Sequence, residues 1–226
     1  ARLRGEFAFA LWDGRAGRLV LGRDRFGVKP LVYVRHQGRL KAASEVKALA
    51  ALGAPMRWDV GSLAAACHHQ YHAPGRTLFD GVATLEPGCV ATFADSEQGF
   101  GPAHLERYWD IDLSPASPDA RIATAQWPAR VRGALERVVA QRQQGSASIT
   151  AYLSGGLDSA AVVALAAGHL REAYGVSFLE DAGGGGYDES ASARQVADWL
   201  GLTHHEVRLR ADALVEALPE AGWFAE

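Results

Sequence analysis

Cysteine is scarce in this sequence, with only Cys67 and Cys89 among 226 residues. Small secreted domains that depend on disulfides carry many more, so two cysteines at this length indicate a reducing, cytoplasmic setting. The sequence also lacks an apolar run of the roughly 18 residues that a membrane span requires. These absences exclude a disulfide scaffold and predict no membrane span.

An excess of charge of either sign is missing as well. The sequence has 23 Lys and Arg against 26 Asp and Glu, which gives a formal net charge of −3. Domains that bind nucleic acids are typically basic, so no nucleic acid is predicted as a partner. Hydrophobic residues make up 48% of the chain, enough to bury a sizeable core, so disorder of the whole chain is excluded.

The chain begins at Ala1, and its single methionine is Met56. Residues 1–13 already have the pattern of the middle of a domain, and the last residues include Trp223 and Phe224 without a stop signal. We therefore expect an internal piece of a longer protein, with processing or trimming as the alternative.

The first 93 residues favour strands. Phe7, Phe9 and Leu11 alternate with smaller residues, which is the period of a half-buried strand. Turn residues separate further apolar segments, which predicts strands at residues 6–12, 18–23, 30–35, 39–43, 77–79 and 90–93. Short helices are predicted after Ser44, which is a suitable N-cap, and after Asp59. Residues 94–120 are rich in Pro, Ser, Asp and Gly and are predicted to be a linker.

Helices and strands alternate from residue 121 onwards. Apolar residues at helical spacing predict helices at residues 127–143, 157–170, 189–200 and 211–218. Short apolar segments predict strands at residues 148–153, 174–179 and 203–209. The first of these helices is expected to carry Val131, Leu135, Val138 and Val139 on one face. This alternation is typical of a parallel sheet with right-handed crossovers.

Residues 154–159 read SGGLDS and join the first of these strands to the next helix, where α/β proteins bind ligands. Gly155 and Gly156 permit positive φ angles and close approach of a ligand. Backbone N–H groups at such a helix N-terminus bind anions, and Ser154 and Ser159 add hydroxyl donors. Asp158 favours either capping or a Mg²⁺ that bridges to a phosphate. The pattern is neither the Walker nor the dinucleotide fingerprint, and the alternative is an ordinary strand–turn–helix.

Several motifs together resemble the glutamine-hydrolysing asparagine synthetase family. The SGGLDS segment looks like the pyrophosphate-binding loop of the N-type ATP pyrophosphatases. The other matches follow in family order along nearly the whole chain: residues 5–13 (GEFAFALWD), 23–31 (RDRFGVKPL), 43–49 (ASEVKAL), 77–79, 87–88, 108–109, 187–190 (YDES), 193–197 (ARQVA), 200–201 and 204–207 (HHEV). The combination is specific.

The resemblance implies an α+β part followed by an α/β part. Residues 1–93 are expected to be the C-terminal part of a class II glutamine amidotransferase domain, which is a partial Ntn-type αββα sandwich. Residues 94–120 are the expected linker. Residues 121–226 are expected to be the N-terminal part of the asparagine synthetase domain, a Rossmann-like parallel-sheet ATP pyrophosphatase fold.

The resemblance also implies a reaction and a site. In this family ATP activates a carboxylate, that of aspartate in asparagine synthetase, as an acyl-adenylate and releases pyrophosphate. Ammonia from glutamine then attacks the activated carbonyl. Carried over to this sequence, the ATP and pyrophosphate site comprises Leu153, Ser154, Gly155, Gly156, Asp158, Ser159 and Val176. Leu153 and Val176 are expected to offer backbone groups and apolar surface to the adenosine, and Asp158 to bind Mg²⁺.

The sequence departs from the family pattern in both parts. The family's glutaminase nucleophile is an N-terminal cysteine, whereas residue 1 is Ala1, and neither Cys67 nor Cys89 lies at a catalytic position of the family. The later acidic loop and lysines of the synthetase domain are missing too. We therefore assign no catalytic residue, expect little asparagine synthesis from the isolated chain, and expect a homodimer or a complementing chain.

Two other functions stay open at this point. A relative that closes a β-lactam or cyclises a peptide would use the same adenylation step. A non-catalytic half would bind ATP and Mg²⁺, or a partner, without releasing pyrophosphate. The fit of the motifs in the first third favours the glutamine-using branch of the family.

Four further features have weaker functional interpretations. Residues 67–72 (CHHQYH) contain metal-ligating side chains but match no standard spacing, so a histidine cluster without metal is favoured. Residues 23–25 with Lys29 favour a local ion pair that pins the loop over an anion site. Residues 204–205 are favoured as structural histidines. Residues 183–186 are either a mobile loop over the nucleotide or a linker.

Overall fold

The computed structural model describes residues 3–114, 118–145, 148–178 and 188–225. The chain divides into two compact units, residues 1–113 and 114–225. None of the helices in these described ranges combines the length and the apolar character that crossing a bilayer requires.

The first unit is built from antiparallel strands. Its strands are β1 Ala8–Asp13, β2 Arg18–Arg23, β3 Val32–His36, β4 Arg39–Ala43, β5 Val82–Thr84, β6 Cys89–Ala94 and β7 His104–Arg107. Its helices are α1 Val46–Ala51 and α2 Val60–His69. The strands form two sheets, with the orders β1-β2-β6-β7 and β4-β3-β5.

The two sheets of the first unit pack face to face through alternate apolar side chains. Leu21 of β2 and Phe93 of β6 are 0% and 2% exposed and belong to one buried cluster. Phe93 meets Tyr33 of β3 edge-on, with ring centroids 5.4 Å apart. Val34 of β3 instead packs with Leu49 of α1. Because successive side chains of a strand point to opposite faces, β3 fixes the order sheet, sheet, helix. The complete αββα sandwich stays a prediction.

The strand β7 lies within residues 94–120, which the sequence predicted to be a linker. All four of its residues are exposed, so no alternation of apolar and polar side chains revealed it. It exists because its backbone pairs with β6. The predicted linker therefore contains a short strand at residues 104–107.

Residues 77–79 do not form the predicted strand, and only Phe79 makes an isolated antiparallel bridge, with Trp58. The Thr77 hydroxyl donates to the carbonyl oxygen of Val82 at 2.8 Å and accepts from the Phe79 N–H at 3.1 Å. The strand of this region is β5, which begins at Val82. The predicted cap of α1 is also wrong, because Glu45 is its N-cap and no side chain caps that end. Asp59 does cap α2, accepting from the Ser62 N–H.

The second unit contains the predicted parallel sheet. Its strands are β8 Ile149–Tyr152, β9 Leu170–Phe178 and β10 Thr203–Leu209, and its helices are α3 Trp127–Arg142, α4 Leu157–Ala166, α5 Ser190–Leu200 and α6 Ala211–Ala225. The strand order is β10-β9-β8, and both pairs are parallel. Each strand therefore lies beside the next one in the chain.

One face of the parallel sheet is covered, and the other is open among the described residues. Ala173 of β9 and Leu153 are both 0% exposed and cluster with Val163 of α4 and Ala193 of α5. Both crossover helices lie on this covered face because the strands are added in one direction with right-handed connections. The opposite face, which we call the open face, exposes the side chains of Tyr152, Val176, Phe178 and Val207.

One sequence prediction for the second unit needs correction. Helix α4 ends at Ala166, and a 3₁₀ turn over Ala167–His169 leads into β9, so this strand starts earlier than predicted. The continuous apolar run through this stretch hid the boundary. On α3, Val131 and Val138 are 50% and 48% exposed, whereas Val139 packs against the buried cluster.

Candidate active site

The SGGLDS segment forms a tight loop between β8 and α4. Gly155 has a φ of 88°, a conformation that favours glycine. The Ser154 and Ser159 hydroxyl oxygens are 3.0 Å apart and share a hydrogen bond, which joins the two ends of the loop. The Ser159 hydroxyl donates to the Gly156 carbonyl at 3.1 Å and accepts from the Ser154 N–H at 3.2 Å. These hydrogen bonds hold the loop in shape.

The N-terminal end of α4 is open at this loop. Gly156 is the N-cap residue, and no side chain caps the helix. The first-turn N–H groups of a helix have no intrahelical partners and form the positive end of its dipole. Asp158, in this turn, is exposed and has no hydrogen-bond or ion-pair partner among the described residues. The turn thus offers N–H donors for an anion and one free carboxylate for a cation.

Helix α5 begins directly against the loop. A Cβ added to Gly155 would lie 2.5 Å from the Glu189 carbonyl oxygen and 2.8 Å from the Ala193 nitrogen. At Gly156 an added Cβ would lie 3.5 Å from the Glu189 Oε2 atom, so this carboxylate borders the loop. The glycine at position 155 is therefore required by the neighbouring helix as well as by its own backbone angle.

The structure places Leu153 and Val176 on opposite faces of the sheet. The Leu153 side chain is 0% exposed in the buried cluster, so it has no apolar surface to offer a ligand, and only its backbone can serve the site. Val176 is 54% exposed on the open face. The remaining predicted residues, Ser154, Gly155, Gly156, Asp158 and Ser159, come together in the loop and the first turn of α4.

Glu206 is a residue of this unit to which the sequence assigned no role. Its carboxylate accepts hydrogen bonds from the Ser177 hydroxyl at 2.7 Å, from Arg194 at 2.8 Å and from Arg208 at 3.0 Å. The hydrogen bonds from Ser177 and Arg208 are the main reason that the pKa of Glu206 is lowered to about 2. An acidic residue within the predicted strand of residues 203–209 is the only sign of this role in the sequence. Its partners Ser177 and Arg194 are distant in sequence, so the local pattern does not reveal them.

In the first unit, the motif of residues 23–31 forms a loop that backbone hydrogen bonds hold. Asp24 is 1% exposed and accepts from the N–H groups of Phe26, Val28 and Lys29 at 3.0–3.1 Å. Burial raises the pKa of Asp24, but the hydrogen bonds from the backbone N–H groups together have the larger effect. The pKa of Asp24 is therefore below its usual range. The Arg23 guanidinium donates to three backbone carbonyls, those of Gly27, Lys29 and Leu85.

This arrangement corrects the predicted ion pair at residues 23–29. Asp24 binds the backbone N–H of Lys29, while the Lys29 ammonium lies 3.7 Å from a Glu6 oxygen. The same loop gathers two other motifs: the Gly88 N–H donates to the Asp24 carbonyl at 2.8 Å, and the Tyr108 hydroxyl donates to the Arg23 carbonyl at 2.7 Å. These motifs therefore form one structural junction.

The remaining candidates do not assemble into a site. Cys67 is exposed and Cys89 is buried, and both are free thiols. Residues 68, 69 and 72 are exposed histidines, and within the described ranges no three His, Cys, Asp or Glu side chains are placed to hold a metal. The glycine run at residues 183–186 lies outside the described residues.

Comparison with known protein families matches both parts of the chain. The family described as "Glutamine amidotransferase domain" matches residues 1–109. The family described as "Asparagine synthase" matches residues 130–226. A solved structure of the glutamine-dependent NAD⁺ synthetase from Acinetobacter baumannii in complex with ADP is 14% identical and covers 97% of this chain and 53% of that one. Its TM-score of 0.32 is too low to establish a shared fold.

Curated relatives align over the whole chain. Amidase chyE from Penicillium rubens is 33% identical over 100% of this chain and 34% of its own length. A putative glutamine-hydrolysing asparagine synthetase from Mycobacterium bovis is 34% identical over 100% of this chain and 34% of its own. Carboxyethyl-arginine beta-lactam-synthase from Streptomyces clavuligerus is 32% identical over 99% of this chain and 39% of its own.

The chain thus spans about a third of the length of the curated relatives it matches. The two family matches follow one another along the chain and together include both the loop at residues 154–159 and the junction at residues 23–31. The chain thus carries a segment that matches the glutamine amidotransferase domain family, followed by a segment that matches the asparagine synthase family.

Proposed function

We propose that this chain is part of an ATP-dependent ligase that amidates a carboxylate. ATP activates the carboxylate as an acyl-adenylate with release of pyrophosphate, and ammonia derived from glutamine attacks the activated carbonyl. The family membership of both segments supports this proposal. Residues 1–93 would then be the later part of an Ntn-type glutaminase sandwich, and residues 121–226 the opening of the synthetase domain.

The observation that carries the proposal is that the N-terminus of α4 has no side-chain cap and follows a glycine loop whose ends are joined by a hydrogen bond. Its first turn has no side-chain cap, and its flanking hydroxyls are already ordered by the Ser154–Ser159 hydrogen bond. Pyrophosphate is the leaving group of adenylation, so negative charge grows on it during the reaction. Donors fixed in that position stabilise the transition state more than the ground state.

The proposed division of roles follows the positions of the side chains. Ser154, Gly155, Gly156 and Ser159 bind the pyrophosphate part of ATP through backbone N–H groups and hydroxyls. Asp158, which is exposed and unpaired among the described residues, is the residue that would hold Mg²⁺. This ion is usually bound by one or two carboxylates together with phosphate oxygens, and it supplies positive charge to them. Leu153 contributes its backbone and Val176 its exposed side chain to the adenosine side.

Aspartate is the acceptor we propose, with asparagine as the product. The naming of relatives as asparagine synthetases from Mycobacterium bovis and Bacillus subtilis supports this choice. The similarity to a beta-lactam-synthase supports the second candidate, in which the same adenylation closes a ring within one substrate. We assign no glutaminase nucleophile among the residues of this chain.

Calorimetric titration with ATP and with inorganic pyrophosphate, each with and without Mg²⁺, tests the proposal. We expect the chain to bind both ligands when Mg²⁺ is present. The substitution Asp158→Asn removes the carboxylate charge, so ATP affinity in Mg²⁺ should fall by roughly tenfold, equivalent to about 1.4 kcal/mol. Without Mg²⁺ the same substitution should not weaken binding, since the carboxylate then only repels the phosphates.

Asp198→Asn is the matched control, because Asp198 is an exposed aspartate of the same unit on α5. It should bind both ligands as the unchanged chain does. A chain that is folded but binds neither ATP nor pyrophosphate in Mg²⁺ would overturn the proposal.

A further inference from the structure

His204 of the second unit has a buried polar atom without a partner. Its Nε2 atom is buried and makes no hydrogen bond within the described residues. Because an unpaired buried polar group is unfavourable, such an atom in a folded protein calls for an explanation. His204 lies on β10, in the motif of residues 204–207, to which the proposed function assigns no role.

The imidazole of His204 lies on the covered face of the parallel sheet. In the strand register His204 is the partner of Ala173 on β9, which is 0% exposed in the buried cluster. Register partners in adjacent strands direct their side chains to the same face. The next residue, His205, points to the opposite face, where its ring stacks on Tyr174 with the centroids 4.7 Å apart. The two adjacent histidines therefore have separate surroundings.

Gly175 of β9 leaves the space into which the His204 ring extends. A Cβ added to Gly175 would lie 2.8 Å from the His204 Nε2 atom and 3.0 Å from the Leu153 carbonyl oxygen. The φ angle of Gly175 is not positive, so crowding by these two atoms, rather than the backbone conformation, requires glycine there. The His204 imidazole and the Leu153 carbonyl are thus neighbours across the middle strand of the sheet.

The carbonyl oxygen of Leu153 also has no partner. Leu153 is 0% exposed, and no group of the described ranges donates a hydrogen bond to this oxygen. The same peptide group carries the Ser154 N–H, which donates to the Ser159 hydroxyl at 3.2 Å. Because a peptide group is planar, any contact that fixes its carbonyl also fixes its N–H. This peptide therefore connects the covered face of the sheet with the hydrogen bonds of the loop.

We propose that His204 is a positioning residue of the phosphate-binding loop, and that its Nε2–H donates a hydrogen bond to the Leu153 carbonyl oxygen. This inference rests on the proposed function, since it takes the loop as the pyrophosphate site. Both atoms lie within 3.0 Å of one point, so a rotation of the imidazole brings them into contact. The Nε2–H tautomer fits this position, because an unprotonated Nε2 would turn its lone pair towards those of the carbonyl.

The hydrogen bond from His204 stabilises the loop from the covered face. With the Leu153 carbonyl fixed, the Ser154 N–H keeps its direction towards Ser159, whose hydroxyl also bonds to the Ser154 hydroxyl and to the Gly156 carbonyl. Donors that are held in place lose less conformational entropy when an anion binds. A carbonyl oxygen accepts two hydrogen bonds, so Leu153 can still serve the adenosine side with its backbone.

Titration of histidine variants with inorganic pyrophosphate in Mg²⁺ tests this role. We expect His204→Ala to weaken binding by roughly tenfold, the scale of one lost buried hydrogen bond. His204→Gln places an amide N–H near the Nε2 position, so its affinity should stay within about twofold of that of the unchanged chain. His204→Asn has the same amide on a shorter side chain and should bind as weakly as His204→Ala. His205→Ala, on the opposite face, is the matched control and should leave the affinity unchanged.

Nitrogen NMR shifts of the His204 imidazole give a readout that packing alone would not determine. We expect the neutral ring to carry its proton on Nε2, since this is the tautomer that donates to the Leu153 carbonyl. A neutral ring that carries its proton on Nδ1 would overturn the proposal, whatever the effect of His204→Ala on stability.

The outcomes distinguish this inference from the proposed function. If the unchanged chain binds neither ATP nor pyrophosphate, the proposed function fails and the inference fails with it. If the chain binds pyrophosphate and His204→Ala binds it as tightly but unfolds more easily, His204 only fills the core, and only the inference is overturned. Binding by His204→Gln as weak as by His204→Ala would also overturn it. Should His204→Ala fail to fold, the comparison of His204→Gln with His204→Asn decides in the same way.

Discussion

At the residue scale, Gly155 illustrates how a missing side chain sets the geometry of the candidate site. Two causes act there together: a backbone angle in the left-handed region and the close approach of α5. Gly145 has nearly the same φ, 87° against 88°, but no atom lies within 4 Å of an added Cβ. Comparing Gly145 with Gly155 therefore distinguishes the effect of backbone strain, which both positions have, from the effect of crowding by a neighbouring helix, which only Gly155 has.

We expect Gly155→Ala to be the more damaging of two matched substitutions. Both Gly155→Ala and Gly145→Ala carry the strain of a left-handed backbone, about 1–2 kcal/mol. Only Gly155→Ala adds crowding against α5, which typically costs a further 1–3 kcal/mol. Chemical denaturation should show the difference in the free energy of unfolding, and titration should show lost pyrophosphate binding for Gly155→Ala alone. Equal effects on stability would contradict the crowding.

At the element scale, Glu206 joins two strands and a helix. It lies on β10 and binds Ser177 of β9 and Arg194 of α5, so it fixes the helix to the sheet on the covered face. Apolar contacts in the buried cluster also hold these elements together, but such contacts have little directional preference. The hydrogen bonds of Glu206 require defined distances and angles, so they favour one relative position of helix and sheet. The N-terminus of α5 borders the loop, so the position of this helix also affects the candidate site.

The lowered pKa of Glu206 predicts a loss of stability in acid. The folded-state pKa, about 2, is below the usual 4.5, so the stabilisation is fully present above about pH 4.5 and declines as the pH falls towards 2. Glu206→Gln should remove this contribution, and its unfolding free energy should change less between pH 5 and pH 3 than that of the unchanged chain. Glu216→Gln on α6, an exposed position, is the control. Identical pH profiles for the unchanged chain and Glu206→Gln would refute the prediction.

The sequence predicted those elements whose side-chain pattern matches their burial. Strand β2 is present as predicted, and its Leu19 and Leu21 pack in the core. The loop at residues 154–159 is also present as predicted. Strand β7 was missed because backbone pairing alone forms it. The side chain of Leu153 was assigned to the ligand because sequence alone does not tell which face of a strand is covered. The partners of Glu206 depend on tertiary packing, which no local pattern encodes.

At the scale of the whole molecule, the chain displays much apolar surface among its described residues. Besides the open face, α3 and α4 enclose a groove of about 650 Å³ lined by residues such as Trp127, Val131, Leu135 and Leu165. Parallel sheets are normally covered on both faces, and apolar patches of this kind mark surfaces that bind other groups. Stability and solubility of the isolated chain should therefore respond to these surfaces.

The groove predicts binding of an apolar fluorescent dye by the folded chain. Val131→Asp places a charge in the groove, so it should lower the dye fluorescence, while the half-exposed position keeps the loss of stability below about 1 kcal/mol. Val60→Asp, at a 75% exposed valine on α2, is the control and should leave the groove signal unchanged. Fluorescence that falls equally in both variants would place the bound dye outside the groove.

The pairing of β2 with β6 has a consequence for the order in which the chain acquires its structure. In the second unit each strand pairs with the next one along the chain, so its sheet can grow as synthesis proceeds. In the first unit β2 pairs with β6, which comes much later in the sequence. The hydrogen bond from Tyr108 to Arg23 joins residues that are 85 positions apart. Contacts this distant require closure of a long loop and slow the search for the native topology. During translation, the hairpin of β1 and β2 therefore stays without its third strand until residue 94 has left the ribosome, and that interval is when this part of the protein is most open to mispairing.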